Sequence, residues 1–454
     1  MKKFISCLML LLCMCMLFSG CSKTNLTMPE DYTNVGSNGG FVVSAGNQLY
    51  FANAYKSYTS VTKKSHNKGS GVKQHFLNRI EFDLVNSSEK KLKVDEEENL
   101  ISEKVANKIA GYEKSNMFVV GKYLYFTTPS IHKNDSKNDE EYGKLQSERL
   151  SFYRVKLDGT GLKELFTTKS ETAEFYLTGE ANKRLFVFDD GKIKVMNIGK
   201  GETSLSTVAK NVKQVAFPNN QEQNFVNLYY TVERDDAFTG DKLKKYNLVT
   251  GETEDVAGYS RNKEKLNLIA FDGINLFYTR TGGDVEALYS NDFSNDSSEI
   301  LQKYYIKNFT TDSVILTINE EEYDANYFIY EYNNNIYAQD METGNDQGYK
   351  QLTTGTCKIA FVDGTYVYYT TADGIYRVSV LDENLTVQTV SNVKDFDQNY
   401  IDFDGRYVYF FAKAENGTTD TKYLYRADTS NVDSDIIVTE CIALLADGEI
   451  AEEE

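Results

Sequence analysis

Residues 361–384 read FVDGTYVYYTTADGIYRVSVLDEN, and the way this stretch alternates decides the fold. Asp363-Gly364 separates two runs of alternating aromatic and aliphatic residues. Asp-Gly in that setting is a strong hairpin signal, because a type I′ turn needs positive φ at both central residues. Along a strand, side chains point alternately to opposite faces, so Tyr366, Tyr368 and Thr370 share one face while Val367 and Tyr369 take the other. These tyrosines are read as packing: each ring offers a large apolar area, and its hydroxyl can reach a partner at the sheet edge.

The phrase recurs along the chain. FDGRYVYFFAK (403–413), FDGINLFYTR (271–280), VVGKYLYFTT (119–128) and SAGNQLYFAN (44–53) each place a Gly-containing turn before an alternating run. A second phrase follows, as in SFYRVKLDGTG (151–161), GIYRVSVLDEN (374–384), KYLYRADTSN (422–431), KLKKYNLVTGE (242–252), NNIYAQDMETG (334–344) and ALYSNDFSN (287–295). KIKVMNIGKGE (192–202) and FLNRIEFDLVNSSE (76–89) are looser copies. Weaker runs such as KELFTT and TVQTVSN come next, so the unit is four short antiparallel strands.

With the second strand as marker, the units centre on Tyr50, Tyr125, Phe186, Tyr229, Phe277, Ile315, Tyr368 and Tyr409. The gaps are 75, 61, 43, 48, 38, 53 and 41 residues. The later gaps match the roughly 40–50 residues of a propeller blade. The larger ones are assigned to insertions near 53–75 and 129–149, between the second and third strands of their units. The expectation is an all-β fold, a β-propeller of eight four-stranded antiparallel blades over 41–446, with seven as the alternative because the unit at Ile315 is the least regular. Ring closure is expected from DIIVTECIALL (435–445) near the first unit, with 447–454 as an acidic tail.

Composition agrees with strands: 13 % of residues are aromatic, all Tyr and Phe, with 33 Tyr and no Trp. The net charge of −18 repels phosphate backbones, so nucleic acid is not an expected partner.

The chain opens MKKFISCLMLLLCMCMLFSGCSKTN. Lys2 and Lys3 precede an apolar run from Phe4 to Phe18, too short to span a bilayer, which takes about 20 residues, but suited to export. Small Ser19 and Gly20 before Cys21 resemble the lipobox of bacterial lipoproteins, with Phe18 departing from that family's usual Leu. The resemblance implies cleavage after residue 20 and a diacylglycerol on Cys21, which places the protein on the outer side of the cell membrane with 21–40 as a polar tether. Cys357 and Cys441 remain in the exported part, read as two buried thiols or as a pair.

The YVYYT, YLYFTT and YVYFF strands, with YRVKLDGTG and YRVSVLDEN after them, resemble the YWTD propellers of low-density-lipoprotein receptors. They are more similar still to propeller domains of unknown function in Gram-positive lipoproteins. YWTD propellers have six blades and a Trp in the motif, so their ligand sites do not transfer. The bacterial group implies a surface-anchored domain without established chemistry.

Chemical motifs are sparse. The three histidines, His66, His75 and His132, all fall in the insertions, and there is no H-E-x-x-H, C-x-x-C or phosphate loop. NDSKNDEE (134–141) lacks the ligand order of a calcium loop. No metal and no cofactor are expected. Asp158, Asp382 and Asp428 sit in turns, where they are expected to accept from nearby backbone N–H groups.

The first insertion carries Lys63, Lys64, Lys68 and Lys73 in an otherwise acidic chain, beside Tyr55, Tyr58 and His66. The second carries His132 and Tyr142, and Glu320, Glu321 and Glu322 are expected on the same rim. The expected function is a lipid-anchored scaffold that binds protein or cell-envelope ligands through these rim loops. The alternative is a glycan hydrolase or lyase using a pair of channel carboxylates.

Overall fold

In the computed structural model the Gly- and Asn-cornered runs of Tyr, Phe, Val and Ile pair into eight antiparallel sheets, one per sequence unit. The structure describes residues 28, 39–53, 73–84, 90–92, 102–110, 115–130, 132, 134–137, 139, 146, 148–178, 183–199, 201–218, 226–234, 239–256, 265–273, 275–281, 288–292, 302–304, 313–320, 323–341, 349–413, 422–432, 439–444 and 449–450. Among them no helix is long and apolar enough to cross a membrane.

Blade 1 is a six-stranded sheet: Val42–Ala45, Gln48–Asn53, Lys73–Leu84 and Ser102–Ala110 form the blade, and the short strands Lys90–Leu92 and Glu449–Ile450 also pair with Lys73–Leu84. Blade 2 consists of Met117–Val120, Tyr123–Pro129, Leu150–Lys156 and Lys163–Thr167, and blade 3 of Glu174–Leu177, Arg184–Asp189, Lys192–Asn197 and Ser206–Lys210. Blade 4 runs through Val212–Ala216, Asn227–Glu233, Asp241–Asn247 and Thr253–Asp255, and blade 5 through Lys265–Phe271, Asn275–Thr281, Leu288–Asp292 and Gln302–Tyr304. Blade 6 is Val314–Glu320, Tyr323–Tyr332, Asn335–Asp340 and Tyr349–Gln351. Blade 7 is Lys358–Asp363, Tyr366–Thr371, Gly374–Ser379 and Val387–Ser391, and blade 8 is Phe396–Phe403, Tyr407–Lys413, Lys422–Asp428 and Thr439–Leu444. First strands adjoin one another from blade 4 round through blade 8 and blade 1 to blade 2, along the inner side of the ring.

Apolar clusters sit between blades. Val367 and Tyr369 pack on Leu316, Ile318 and Ile329 of blade 6, while Tyr368 on the opposite face packs on Val408 and Phe410 of blade 8. The two faces therefore divide as the alternation predicts, and both are buried. Similar clusters join every neighbouring pair round to Phe41, Leu49 and Phe51 of blade 1 against Tyr407, Tyr409 and Phe411 of blade 8. The ring is closed.

Three expectations need correction. Ile315 lies on the first strand of blade 6, and the second strand is Tyr323–Tyr332, with Ile329 facing blade 7. The marker failed because no Gly stands in the sequence between the first and second strands; the second–third turn also lacks Gly, and there Asn333 and Asn334 take φ of 48° and 62°, which Asn tolerates. Glu320 consequently ends a first strand, which puts it at the opposite end of the sheet from the insertions, and Glu321 and Glu322 lie outside the described residues.

The third correction concerns closure. Thr439–Leu444 is the outer strand of blade 8, and its backbone pairs with Lys422–Asp428 of the same sheet. Closure comes from side-chain packing and from Asp402 and Asp404, at and just past the end of the first strand of blade 8. Val42 N donates to Asp402 Oδ2 at 2.8 Å, and Ser44 Oγ donates to Asp404 Oδ2 at 3.2 Å. Beyond residue 445, Glu449–Ile450 pairs with Lys73 and Gln74 of blade 1.

Candidate functional site

An antiparallel meander puts the first–second and third–fourth turns of every blade on one side of the disc. The second–third connections and the links between blades fall on the other side. Both insertions are second–third connections, so they share one side, here called the insertion face. The short turns make the opposite face.

On the short-turn face a cleft of about 1290 Å³ opens between blades 2, 3 and 4. Its walls come from Gly121, Lys122 and Tyr123 of blade 2, from Lys183, Arg184 and the 197–202 turn of blade 3, and from Leu248 and Val249 of blade 4. Arg154, on the third strand of blade 2, reaches it from behind. Among the described residues, four cationic side chains and one acid, Glu202, line the cleft, in a protein whose net charge is −18.

The floor is built from a motif that recurs round the ring. Tyr125 stands directly opposite Arg154 across the strand pair, as Tyr368 stands opposite Arg377 and Tyr409 opposite Arg426. The tyrosine two positions earlier lies diagonally on the same face and takes the guanidinium over its ring. The distances are 4.6 Å for Arg154 on Tyr123, 4.1 Å for Arg377 on Tyr366 and 4.3 Å for Arg426 on Tyr407. YxY on the second strand and YR on the third are therefore two halves of one clamp.

Blade 2 connects its clamp to the next blade. Tyr125 Oη donates to Glu202 Oε1 at 2.9 Å and accepts from Gly199 N at 2.6 Å. Arg154 Nη1 pairs with Glu202 Oε2 at 2.6 Å. Burial disfavours the Arg154 charge, but the Glu202 carboxylate outweighs it and holds the guanidinium above its ordinary value. Burial, with Glu202 nearby, pushes the Tyr125 phenol far above its ordinary value, so it stays protonated as a donor. Gly199 is required here. Its φ of 85° is left-handed, and a Cβ would come within 2.8 Å of Val120 Cγ1.

The remaining cations differ in how they are held. Arg184 donates from Nη1 to the Leu248 carbonyl, which ties blade 3 to blade 4. Lys122 lies 5.6 Å from the Tyr123 ring centre. Lys183 has no carboxylate partner among the described residues, and burial lowers its ammonium below the ordinary lysine value. A desolvated cation is stabilised by an anion beside it.

Of the rim residues predicted from sequence, Tyr55, Tyr58, Lys63, Lys64, His66, Lys68 and Tyr142 lie outside the described residues, as does Cys21. His132 is exposed on the insertion face, its Nε2 at 2.8 and 2.9 Å from the two Glu164 oxygens. Burial works against the Glu164 charge, yet hydrogen bonds from Thr167 and His132 hold its carboxyl below the ordinary range. The turn acids behave as expected: Asp158 accepts from Thr160 N, Asp382 from Asn384 N and Thr386 N, and Asp428 from Ser430 N. Among the described residues no cluster of three or more His, Cys, Asp or Glu is placed to hold a metal ion. Cys357 is a buried free thiol.

Sequence reasoning passed over the cleft because its residues sit in turns of ordinary length. A usable signal was present: Lys122 and the Lys183-Arg184 pair fall at first–second turns of consecutive units, which a propeller brings side by side.

No family model matches the chain, and no curated protein matches it. Among solved structures, an oligogalacturonate lyase in complex with manganese is similar at 12 % identity and a TM-score of 0.39, over 80 % of this chain and 98 % of the other. Oligopeptidase B from Trypanosoma brucei with covalently bound antipain is similar at 9 % identity and a TM-score of 0.42, over 74 % of this chain and 48 % of that one. A puromycin-hydrolyzing peptidase of Mycobacterium tuberculosis is similar at 9 % identity and a TM-score of 0.40, over 90 % of this chain and 60 % of that one. Similarity at this level says nothing about chemistry, and the propeller is read from the chain's own eight sheets.

Proposed function

We propose that the protein is a lipid-anchored, extracytoplasmic binding module that holds an anionic ligand, part of a protein or of the cell envelope, in the cleft between blades 2, 3 and 4. One observation carries the reading: Lys122, Arg154, Lys183 and Arg184 line one cleft of a chain with net charge −18. Glu202, the carboxylate at its floor, is already engaged by Arg154 and Tyr125, so the described lining offers an incoming ligand positive charge and hydrogen-bond donors. Recognition needs no covalent step. Isothermal titration with citrate and with inorganic pyrophosphate tests it: both are expected to bind the protein and to bind Lys183→Ala more weakly. No heat with either anion, or equal binding by the variant, overturns the reading.

The anchor is part of the same proposal. Ser19-Gly20-Cys21 after the apolar leader supports it, and so does the path of the chain. Gly39 and Gly40 lead into the first strand of blade 1 at the insertion face, and Met28 packs against the cluster between blades 1 and 2. A lipid on Cys21 would then hold towards the membrane the face from which the insertion carrying Tyr55, Tyr58, Lys63, Lys64, His66 and Lys68 leaves, with His132 and Tyr142 of the second insertion as further rim contacts, and would turn the cleft outward. Cys21→Ser is expected to release the protein from the membrane fraction. An unchanged membrane fraction would exclude the anchor.

A second reading, glycan cleavage by channel carboxylates, is favoured by one side chain. Glu174, on the first strand of blade 3, keeps its side chain exposed, and the protein packed around its carboxyl raises it above the ordinary value. That chemistry takes a second carboxylate about 5–10 Å away. New reducing ends from an oligosaccharide substrate, abolished in Glu174→Gln, would support this reading.

A further inference from the structure

Large apolar side chains left exposed on a folded surface mark contact sites when they gather on one side. Among the described residues five stand out: Leu162, Val226, Val249, Tyr349 and Val387. Leu162, Tyr349 and Val387 each lie at or beside the start of a fourth strand, Val249 in a third–fourth turn, and Val226 just before a second strand. Every one of those positions is on the short-turn face. Val249 is 75 % exposed and lines the cleft, and Val226 sits beside it, its carbonyl accepting from Leu248 N. The cleft thus has a cationic floor and an aliphatic lip.

Resting on the anion-binding reading above, the geometry points to an acidic polypeptide segment with interspersed aliphatic side chains as the occupant. Its carboxylates would meet Lys183, Arg184 and Lys122, and its apolar side chains would cover Val226 and Val249. A sugar polymer is the poorer match, because sugar rings are held on open aromatic faces and this lip is aliphatic. The aromatic ring in the cleft, Tyr123, already carries the Arg154 guanidinium at 4.6 Å. A peptide also brings backbone groups of its own to exposed turns such as Gly121 and Gly201, where nothing lies within 4 Å of a would-be Cβ.

The test uses the protein without its leader and three fluorescein-labelled probes: an alternating Glu-Leu octapeptide, an alternating Lys-Leu octapeptide and a galacturonate octamer, read by polarisation at two salt concentrations. The Glu-Leu peptide is expected to bind in preference to both others. Val249→Asp and Lys183→Ala should each weaken it about tenfold, the change expected for losing one good contact. Lys192→Ala, at the start of a third strand on the insertion face, should leave it unchanged, and thermal melts confirm that the variants are folded. Binding of the galacturonate octamer with loss only in Lys183→Ala would overturn the peptide while keeping the anion-binding reading. Glu-Leu binding indifferent to Val249→Asp would also overturn it. Failure of both acidic probes would sink the two readings together.

Discussion

The two faces of the disc use charge differently. On the insertion face, several buried or half-buried acids each hold a base. Asp189 takes Lys194 at 2.6 Å and accepts from Lys169 N and Ser170 N, Asp241 takes Lys213 at 2.7 Å and accepts from Leu266 N, and Glu164 takes His132. On the short-turn face, blades 2 to 4 gather more cations than Glu202 can neutralise. Much of the chain's acid content fastens backbone to backbone, as Glu331 does for Ile359 N between blades 6 and 7. The lesson is that unmatched charge, rather than abundant charge, marks a site. Loop length is a poor guide to it.

The largest way to break this comparison is to remove the ring on which the cleft floor rests. Tyr125→Ala empties a fully buried site and is expected to destabilise the fold by about 3–5 kcal/mol in urea unfolding, whereas Tyr125→Phe, which removes only the hydroxyl, should cost about 1–2 kcal/mol. Equal effects would mean that packing does not carry the clamp.

Asp402→Ala, at the blade 8 to blade 1 closure, should cost about 1–3 kcal/mol by stranding the buried Val42 N–H. Hydrogen exchange at Val42 should speed up more than at Val367. A uniform change across all blades would contradict closure at this point.

Glu202→Gln separates stability from binding. It removes the partner of Arg154 and should destabilise by about 1–3 kcal/mol, yet affinity for citrate should rise because one negative charge leaves the cleft. Parallel losses of stability and affinity would show that Glu202 only supports structure.

Lys183 supplies a pH test with two opposite signs. Its folded value is lowered by burial, so between that value and the ordinary lysine value the unfolded chain binds more protons than the folded one. Its contribution to stability should therefore rise with pH across that window, while citrate affinity falls across the same window as the ammonium is lost. Lys183→Ala should flatten both profiles, as followed by melts and titrations from neutral to alkaline pH.

The smallest effect is expected on the other face. Lys192→Ala removes an exposed pair with Asp190 and should change stability by less than about 0.5 kcal/mol, with citrate binding unaltered.

Much of the architecture was legible in the chain. The four-strand unit, the two-faced burial of Tyr368 and Tyr369 and the place of both insertions follow from period-two alternation and Gly-cornered turns, which are local properties. Blade 6 was misregistered because no Gly marks the corner before its second strand, Tyr323–Tyr332. The site was largely illegible: Lys122, Lys183 and Val249 are ordinary turn residues when read one at a time.

By itself, then, the sequence determined the repeating strand module and its apolar rows, because backbone pairing and side-chain alternation act over a few residues. Only the tertiary structure decided which turns become neighbours. Closing the ring sets residues about 60 positions apart side by side, as Arg184 and the Leu248 carbonyl are, and desolvates Lys183 among them. The cleft and its excess positive charge arise from that juxtaposition, which no single stretch of the chain contains.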